Sequence, residues 1–348
     1  MSQGLAATLF GPEDLRLVAS DLPPLAKGMV RIRFGAGGIC GSDLHYFRHA
    51  RTGDFVVTSP LVLGHEVAGD VVDINGDAPG LSIGDRVAVN PSRWCGHCRY
   101  CREDRPNLCE NIYFMGSASK TPHMQGGFAS LFDATPAQCV KVPDTTPYAA
   151  AALAEPLAVC LHAVARAGGV RDRTIVVFGA GPIGLLTMLA AKLKGCSSVT
   201  MVDIAAAPLA FAEELGADQV INIGDGGDAL AAAADARRFD VGFEVTGSPA
   251  GLASAIASVR RGGTLVQIGN LPGGQISVPA NAVMAKELDF RGTFRFGAEF
   301  NDAVELITTG KVDVLRLVTA EYPLSSADAA FRVAADRSRS VKVVLNRD

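Results

Sequence analysis

The 348-residue chain has no excess of basic residues: 32 Lys and Arg stand against 36 Asp and Glu, for a formal net charge of −4. That balance excludes the basic footprint of a nucleic-acid binder and of a protein held on an anionic membrane surface. Long uninterrupted apolar runs are also missing. The longest, around residues 179–191, is broken by glycine and proline, so no membrane-spanning helix is expected. The opening residues, MSQGLAATLFGPEDL, lack the basic start and apolar core of a secretory signal. A disulfide framework is absent too, since four of the eight cysteines crowd into residues 95–109 and the others (Cys40, Cys139, Cys160, Cys196) are scattered. Such usage fits a reducing compartment, and the cytoplasm is the expected location. No internal repeat or low-complexity linker interrupts the chain. What remains is an ordinary globular composition, 48% hydrophobic and 20% charged, at a length that suggests two domains.

The two parts differ in texture. Up to about residue 140, short β-type runs such as Met29–Phe34, Glu66–Ile74 and Arg86–Val89 are separated by Gly, Pro, Asp and Asn, which predicts small sheets or a partly open barrel. From Pro147 the chain turns alanine-rich and helical. The apolar run Thr174–Phe178 reads as a buried parallel strand. Further strands are expected at Ser198–Val202, Gln219–Ile223, Asp240–Glu244, Thr264–Ile268 and Leu288–Gly292, with helical segments between the earlier ones. That alternation predicts an α/β domain with a doubly wound parallel sheet. A last strand-like run, Val341–Leu345, is free to return to the first domain.

Between the first two of these strands lies Gly179-Ala-Gly181-Pro182-Ile183-Gly184. A glycine turn alone is weak evidence, but this one follows a strand, opens a helix and has Asp203 about twenty residues on, at the end of the next strand. Gly179 allows the tight turn, Gly181 lets a pyrophosphate approach the backbone, and Gly184 lets helix and strand pack closely. The helix N-terminus offers free N–H groups to phosphate. Asp203 would accept hydrogen bonds from ribose hydroxyls and repel a 2′-phosphate, which favours NAD over NADP.

Metal chemistry is written in two places. Cys95, Cys98, Cys101 and Cys109 can wrap one Zn2+ tetrahedrally, leaving no open position, so this first zinc would be structural. Cys40, His65, Glu66 and Glu155 are ligand types for a second, open zinc. Glu155 is a carboxylate inside an apolar run, where a metal ion is one of few adequate partners. Spacing does not by itself join these residues: a lone cysteine also reads as core, a lone histidine as simply hydrogen-bonded, and a glutamate as a cap or an arginine partner.

Taken together, Gly38-Ile-Cys40-Gly-Ser42-Asp43, Gly64-His65-Glu66, the four-cysteine lobe, Glu155-Pro156 and the nucleotide fingerprint resemble the zinc-dependent medium-chain alcohol/polyol dehydrogenase family over nearly the whole chain. Glu155 in place of a third cysteine is similar to its sorbitol-dehydrogenase branch. The resemblance implies a GroES-like β-rich catalytic domain (1–150, completed by 290–348), a Rossmann NAD-binding domain (151–289), two Zn2+ per chain, NAD as cofactor, and a homodimer or homotetramer. It assigns Cys40, His65, Glu66 and Glu155 to the catalytic zinc and a proton path to Ser42 and His45. It also places Tyr46, Glu155, Arg295 and Phe296 at the substrate, and Ile268, Gly269, Asn270, Phe294 and Arg295 at the cofactor beside the fingerprint residues.

The implied reaction is oxidation of a secondary hydroxyl of a small-molecule sugar acid, L-idonate to 5-keto-D-gluconate, with a sorbitol- or xylitol-type polyol as the alternative. An acid substrate needs a cation for its carboxylate. Arg295, Arg48, Arg51, Arg93 and Lys120 are the candidates. A non-catalytic NAD- or nucleic-acid-binding zinc protein is the competing class. The nucleic-acid version wants a basic, aromatic surface around the zinc, and the NAD-only version wants an incomplete ligand set, whereas Cys40, His65 and Glu155 are all present.

Overall fold

A computed structural model of the chain describes residues 4–20, 22–224, 239–337 and 339–348. The chain divides into two units, Met1–Glu155 with Phe300–Asp348, and Pro156–Glu299.

In the first unit the short β-type runs pair into sheets because each offers one apolar face. The main sheet has seven strands among the described residues. Cys139–Lys141, Arg86–Val89, Glu66–Asn75, Met29–Gly38, Lys342–Asn346 and Val318–Pro323 lie side by side in that order, and Leu131–Ala134 also pairs with Met29–Gly38. All pairs are antiparallel except the last two strands of the row, which run parallel. The C-terminal strand therefore sits next to Met29–Gly38, and its register sets Val344 opposite Gly38, which faces Glu66 on its other side. Phe34, Phe128 and Phe331 form the aromatic centre of the core, with edge-on ring contacts at 6.5 and 6.1 Å. Burying each ring contributes on the order of 2 kcal/mol from apolar area alone.

The second unit is a six-stranded, wholly parallel sheet in the order Gln219–Asn222, Ser198–Asp203, Thr174–Phe178, Phe239–Glu244, Val259–Gln267, Asp289–Gly292. Strand order reverses between Thr174–Phe178 and Phe239–Glu244, the arrangement of dinucleotide-binding sheets. Its apolar filling comes from Val176, Phe178, Val202, Phe239, Ile256 and Leu265.

Two sequence expectations need adjustment, and a third falls outside the described residues. Asp289–Gly292 is the sixth strand of the parallel sheet, bonded to Val259–Gln267, so the first unit resumes at Phe300 rather than at residue 290. The helical segment expected between Ile223 and Asp240 falls on 225–238, outside the described residues. Finally, Tyr148–Arg166 is long and apolar enough to cross a membrane by length and composition, despite Glu155 and Pro156 within it; 78% of it is buried, as in a core helix. Pro156 is tolerated because it lies in the first turn of the helix Ala154–Arg166, where its missing N–H costs nothing.

Candidate active site

The donor atoms of Cys40, His65 and Glu66 all lie within 4.8 Å of one another. Two elements bring them together. Cys40 is the residue before the helix Gly41–His49, held in extended geometry by the glycine-rich end of Met29–Gly38, and Glu66 begins the neighbouring strand. Glu66 has no exposed surface. Thiol, imidazole and carboxylate are zinc donors, and three of them converging this closely fit that ion by the chemistry of the donor set. Glu155 is not within that 4.8 Å group. It is 4% exposed, in the first turn of its helix, and burial pushes its carboxyl up to about 7. The charges of His65, Glu66, Lys342 and Asp43 also act on it, so it is in electrostatic reach of the cluster.

Two residues around the cluster had no role in the sequence reading. Asp43, fully buried, accepts from the Cys40 N–H (3.1 Å) and the Gly64 N–H (3.3 Å), and its Oδ1 lies 3.5 Å from His65 Nδ1. It fixes the imidazole and leaves the other ring nitrogen for a ligand. Burial alone would lower the His65 pKa, but its interactions with Asp43 and Cys40 outweigh that and raise it well above the usual histidine value. Lys342, 3% exposed, donates to Glu66 Oε1 (2.7 Å) and to the Ile39 carbonyl (3.0 Å), and its ammonium lies 2.5 Å from Oε2 in a buried ion pair. A lysine inside the apolar run Val341–Leu345 was the available signal, because a buried ammonium demands an acid. Gly38 makes room for this pair: a Cβ there would meet Glu66 Oε2 at 2.1 Å and Lys342 Cε at 2.8 Å.

The remaining expected residues are spread along the same helix. Ser42 is half-buried and His45 is exposed. Partial desolvation, then the positive charge of His49, Arg48 and Arg337, holds His45 below the usual histidine range. Tyr46 is buried in the core cluster and its oxygen accepts from the Ala118 N–H at 3.1 Å, so packing accounts for it at least in part. Of the proposed carboxylate partners, Arg48 donates to Ala335 O, Arg51 to Gly53 O, and the Arg93 guanidinium stacks on Tyr113.

The four sulfurs of Cys95, Cys98, Cys101 and Cys109 also lie within 4.8 Å of one another. Backbone N–H groups point at them: Cys98 N to Cys95 Sγ (3.4 Å), Cys95 N to Cys109 Sγ (3.3 Å) and Asn111 N to Cys109 Sγ (3.4 Å). N–H groups of Cys101 and Glu110 hold the Cys98 thiol down to about 6, whereas burial and the adjacent sulfurs push Cys101 up to about 12. Four thiolates this close repel one another unless a cation sits among them, and a tetrahedral zinc is the ion that fits.

In the second unit the glycine turn takes the expected form. Gly179 has φ +107°, closed to residues with a side chain, and a Cβ on Gly184 would lie 1.8 Å from Gly179 O. Nothing comes within 4 Å of a Cβ built on Gly181, and no side chain caps the helix Pro182–Leu193, so its first N–H groups face an open cradle. That cradle fits a dinucleotide phosphate. Ile183 is half-buried in the first turn of this helix. Asp203 Oδ2 accepts from Ala180 N (2.7 Å) and Oδ1 from Ala205 N (3.0 Å), which aims the carboxylate at the strand ends. Ile268 and Gly269 donate their N–H groups to Glu244 O, and Asn270 is exposed beside them. Phe294 is exposed, with the Arg295 guanidinium 4.7 Å from its ring centre; Arg295 has φ +54° and Phe296 is buried.

Known proteins match this chain at every level. A family model described as Alcohol dehydrogenase GroES-like domain covers residues 26–144, and one described as Zinc-binding dehydrogenase covers 182–309. L-idonate 5-dehydrogenase (NAD(P)(+)) of Escherichia coli (strain K12) is 39% identical over 314 residues, 90% of each chain. Sorbitol dehydrogenase of Bacillus subtilis (strain 168) is 36% identical over 345 residues, 98% of this chain and 96% of the relative. The crystal structure of L-idonate 5-dehydrogenase from Escherichia coli str. K-12 substr. MG1655 superposes with a TM-score of 0.93 at 35% identity, covering 99% of this chain and 98% of that one. The chain belongs to the zinc-dependent medium-chain alcohol/polyol dehydrogenases, oxidoreductases that use zinc and a nicotinamide dinucleotide.

Proposed function

We propose that this chain oxidises a secondary hydroxyl of a sugar acid with NAD, converting L-idonate to 5-keto-D-gluconate. The observation that carries the reading is the Cys40, His65 and Glu66 donor set, with His65 and Glu66 buried and Glu155 in electrostatic reach, in a chain that also folds a dinucleotide-type unit. Zinc in that set supplies a Lewis acid that lowers the pKa of a hydroxyl, and NAD supplies the hydride acceptor. The alcohol loses one hydride to the cofactor and one proton to the protein. The Ser42 hydroxyl relays that proton, accepting it while giving its own to the neutral His45 imidazole, which is exposed, held below the usual histidine range and passes a proton on to water. Asp43 keeps the imidazole oriented, and Lys342 holds Glu66 in place. A cation beside Glu155 restores the charge that burial suppresses. Asp203 gives the preference for NAD, because its carboxylate repels a 2′-phosphate.

Support for the sugar acid comes from the 39% relative named for L-idonate. A polyol reading is favoured by the sorbitol dehydrogenase relative, whose match extends over 98% of the chain. Initial rates with L-idonate, D-gluconate, sorbitol and xylitol, each with NAD+ and NADP+, decide between them. The sugar-acid reading expects L-idonate with NAD+ to give the highest kcat/KM; faster turnover of sorbitol than of idonate would replace it with the polyol reading.

A further inference from the structure

Glu244 ends the strand Phe239–Glu244 with no exposed surface, opposite Phe178 on one side and Gln267 on the other. It therefore stands where the strand order of the parallel sheet reverses, at the carboxyl ends outside which dinucleotides bind. A buried glutamate normally has a cation. Among the described residues Glu244 forms no ion pair and is held by four donors instead. Thr246 N (2.8 Å), the Thr246 hydroxyl and Gly247 N (3.2 Å) donate to Oε1, and Gln267 Nε2 donates to Oε2 at 2.5 Å. Donors converging on both oxygens are the pattern of a carboxylate.

Those donors belong to two turns. Thr246 Oγ1 in turn accepts from Ser248 N (3.1 Å), and Ser248 Oγ accepts from Gly251 N (2.9 Å), which caps the helix Pro249–Ser258. On the other side Gln267 Nε2 also donates to Gly269 O (2.8 Å), while Ile268 N and Gly269 N bond to the Glu244 carbonyl. One residue thus knits the turn 245–248 to the turn 267–270. A glutamine would turn its NH2 against donors on one side, so the two turns as built call for acceptors at both positions.

We propose that Glu244 is a positioning residue for the nicotinamide half of the cofactor, setting both turns and placing a fixed negative charge that favours the cationic ring of NAD+ over the neutral ring of NADH. The inference rests on the dinucleotide reading of this unit. The pyrophosphate belongs at Gly179–Gly184 on the first half of the sheet, which directs the second nucleotide toward the half that Glu244 begins.

The test uses the zinc-loaded full chain and reads equilibrium binding rather than turnover, with Kd for NAD+ and NADH from fluorescence titration. In Glu244→Gln the Kd for NAD+ rises roughly three- to tenfold more than the Kd for NADH, as loss of a nearby charge in a partly desolvated site requires. The double variant E244Q/Q267E keeps one carboxylate and one amide in the buried pair, and its ratio of the two Kd values returns toward that of the unmodified protein. A purely structural role weakens both redox forms equally, and that result overturns the proposal. So does a double variant whose ratio stays at the single variant's value. Should E244Q fail to fold, the double variant is compared with the unmodified protein alone, and a ratio that differs by more than about threefold counts against the charge. If the unmodified chain binds neither form, the cofactor reading itself falls, which is a separate outcome.

Discussion

The Glu66–Lys342 pair shows how much one buried contact governs at the residue scale. Both side chains are almost wholly removed from water, so the ion pair they form with each other is a main partner for each. Burial alone would lower the Lys342 pKa, yet the charges of Glu66 and Cys40 raise it. In the metal-free chain, replacing Lys342 with methionine leaves Glu66 buried without its cation, and is expected to cost about 3–5 kcal/mol in denaturant unfolding. The double variant K342M/E66Q removes both charges and recovers much of that loss; equal destabilisation of the single and double variants would show that the pair is not the cause. Gly38→Ala drives a methyl into the same pair and is expected to cost ~1–3 kcal/mol. Because Glu66 is a zinc donor in the proposed site, G38A should also lower bound zinc, measured by metal analysis against the unmodified chain.

At the scale of elements, the four-cysteine lobe is mostly loop, with the short helix Arg99–Arg102 and the 3-10 turn Pro106–Leu108 inside it. Its order depends on what joins the sulfurs, since few apolar contacts are available to it. Cys95→Ser should therefore reduce zinc from about two per chain to about one and expose residues 95–111 to proteolysis, while the Cys40 cluster keeps its metal. Cys40→Ser should give the opposite pattern: loss of activity with the lobe still resistant. Loss of both metals from either variant would mean that the two sites are not independent. The strand Lys342–Asn346 is the other decisive element. It delivers Lys342 to the strand Met29–Gly38 across some three hundred residues of sequence, and no local propensity encodes that pairing.

For the molecule as a whole, the closing of the first unit by its own C-terminus ends in a cluster of polar contacts. Arg347 donates to Phe34 O (2.6 Å) and to Asp70 Oδ2 (2.8 Å), and Tyr148 donates to Asp70 Oδ1 (2.6 Å). Burial by itself raises the Asp70 carboxyl, but the hydrogen bonds from Tyr148 and Arg347 prevail and hold it below the usual carboxylate range. An acid with a depressed folded pKa contributes stability above its unfolded value, near pH 4, and loses that contribution as the pH falls through the folded value. Arg347→Ala should therefore cost ~1–3 kcal/mol at pH 7, and the gap to the unmodified chain should narrow below about pH 4. Urea unfolding at pH 7, 5 and 3 measures it; a gap independent of pH would place the effect elsewhere.

The sequence by itself determined the features that depend on local chemistry. A glycine turn between a strand and a helix, followed by an acid at the next strand end, has few other uses, so the parallel sheet and its nucleotide cradle were legible in residues 174–203. Four closely spaced cysteines likewise declare a closed metal lobe. Cys40, His65 and Glu66 were legible as donor types but not as neighbours, because their juxtaposition is made by strand register. Only the tertiary structure decided that Glu155 stands outside the tight donor group, that Asp43 orients His65, and that Lys342 reaches Glu66. It likewise decided that the first unit resumes only at Phe300 and that the buried Glu244 ties two turns at the point where the parallel sheet reverses. These are long-range facts: backbone pairing and the cost of burying charge fix them, and neither is written in any short window of the chain.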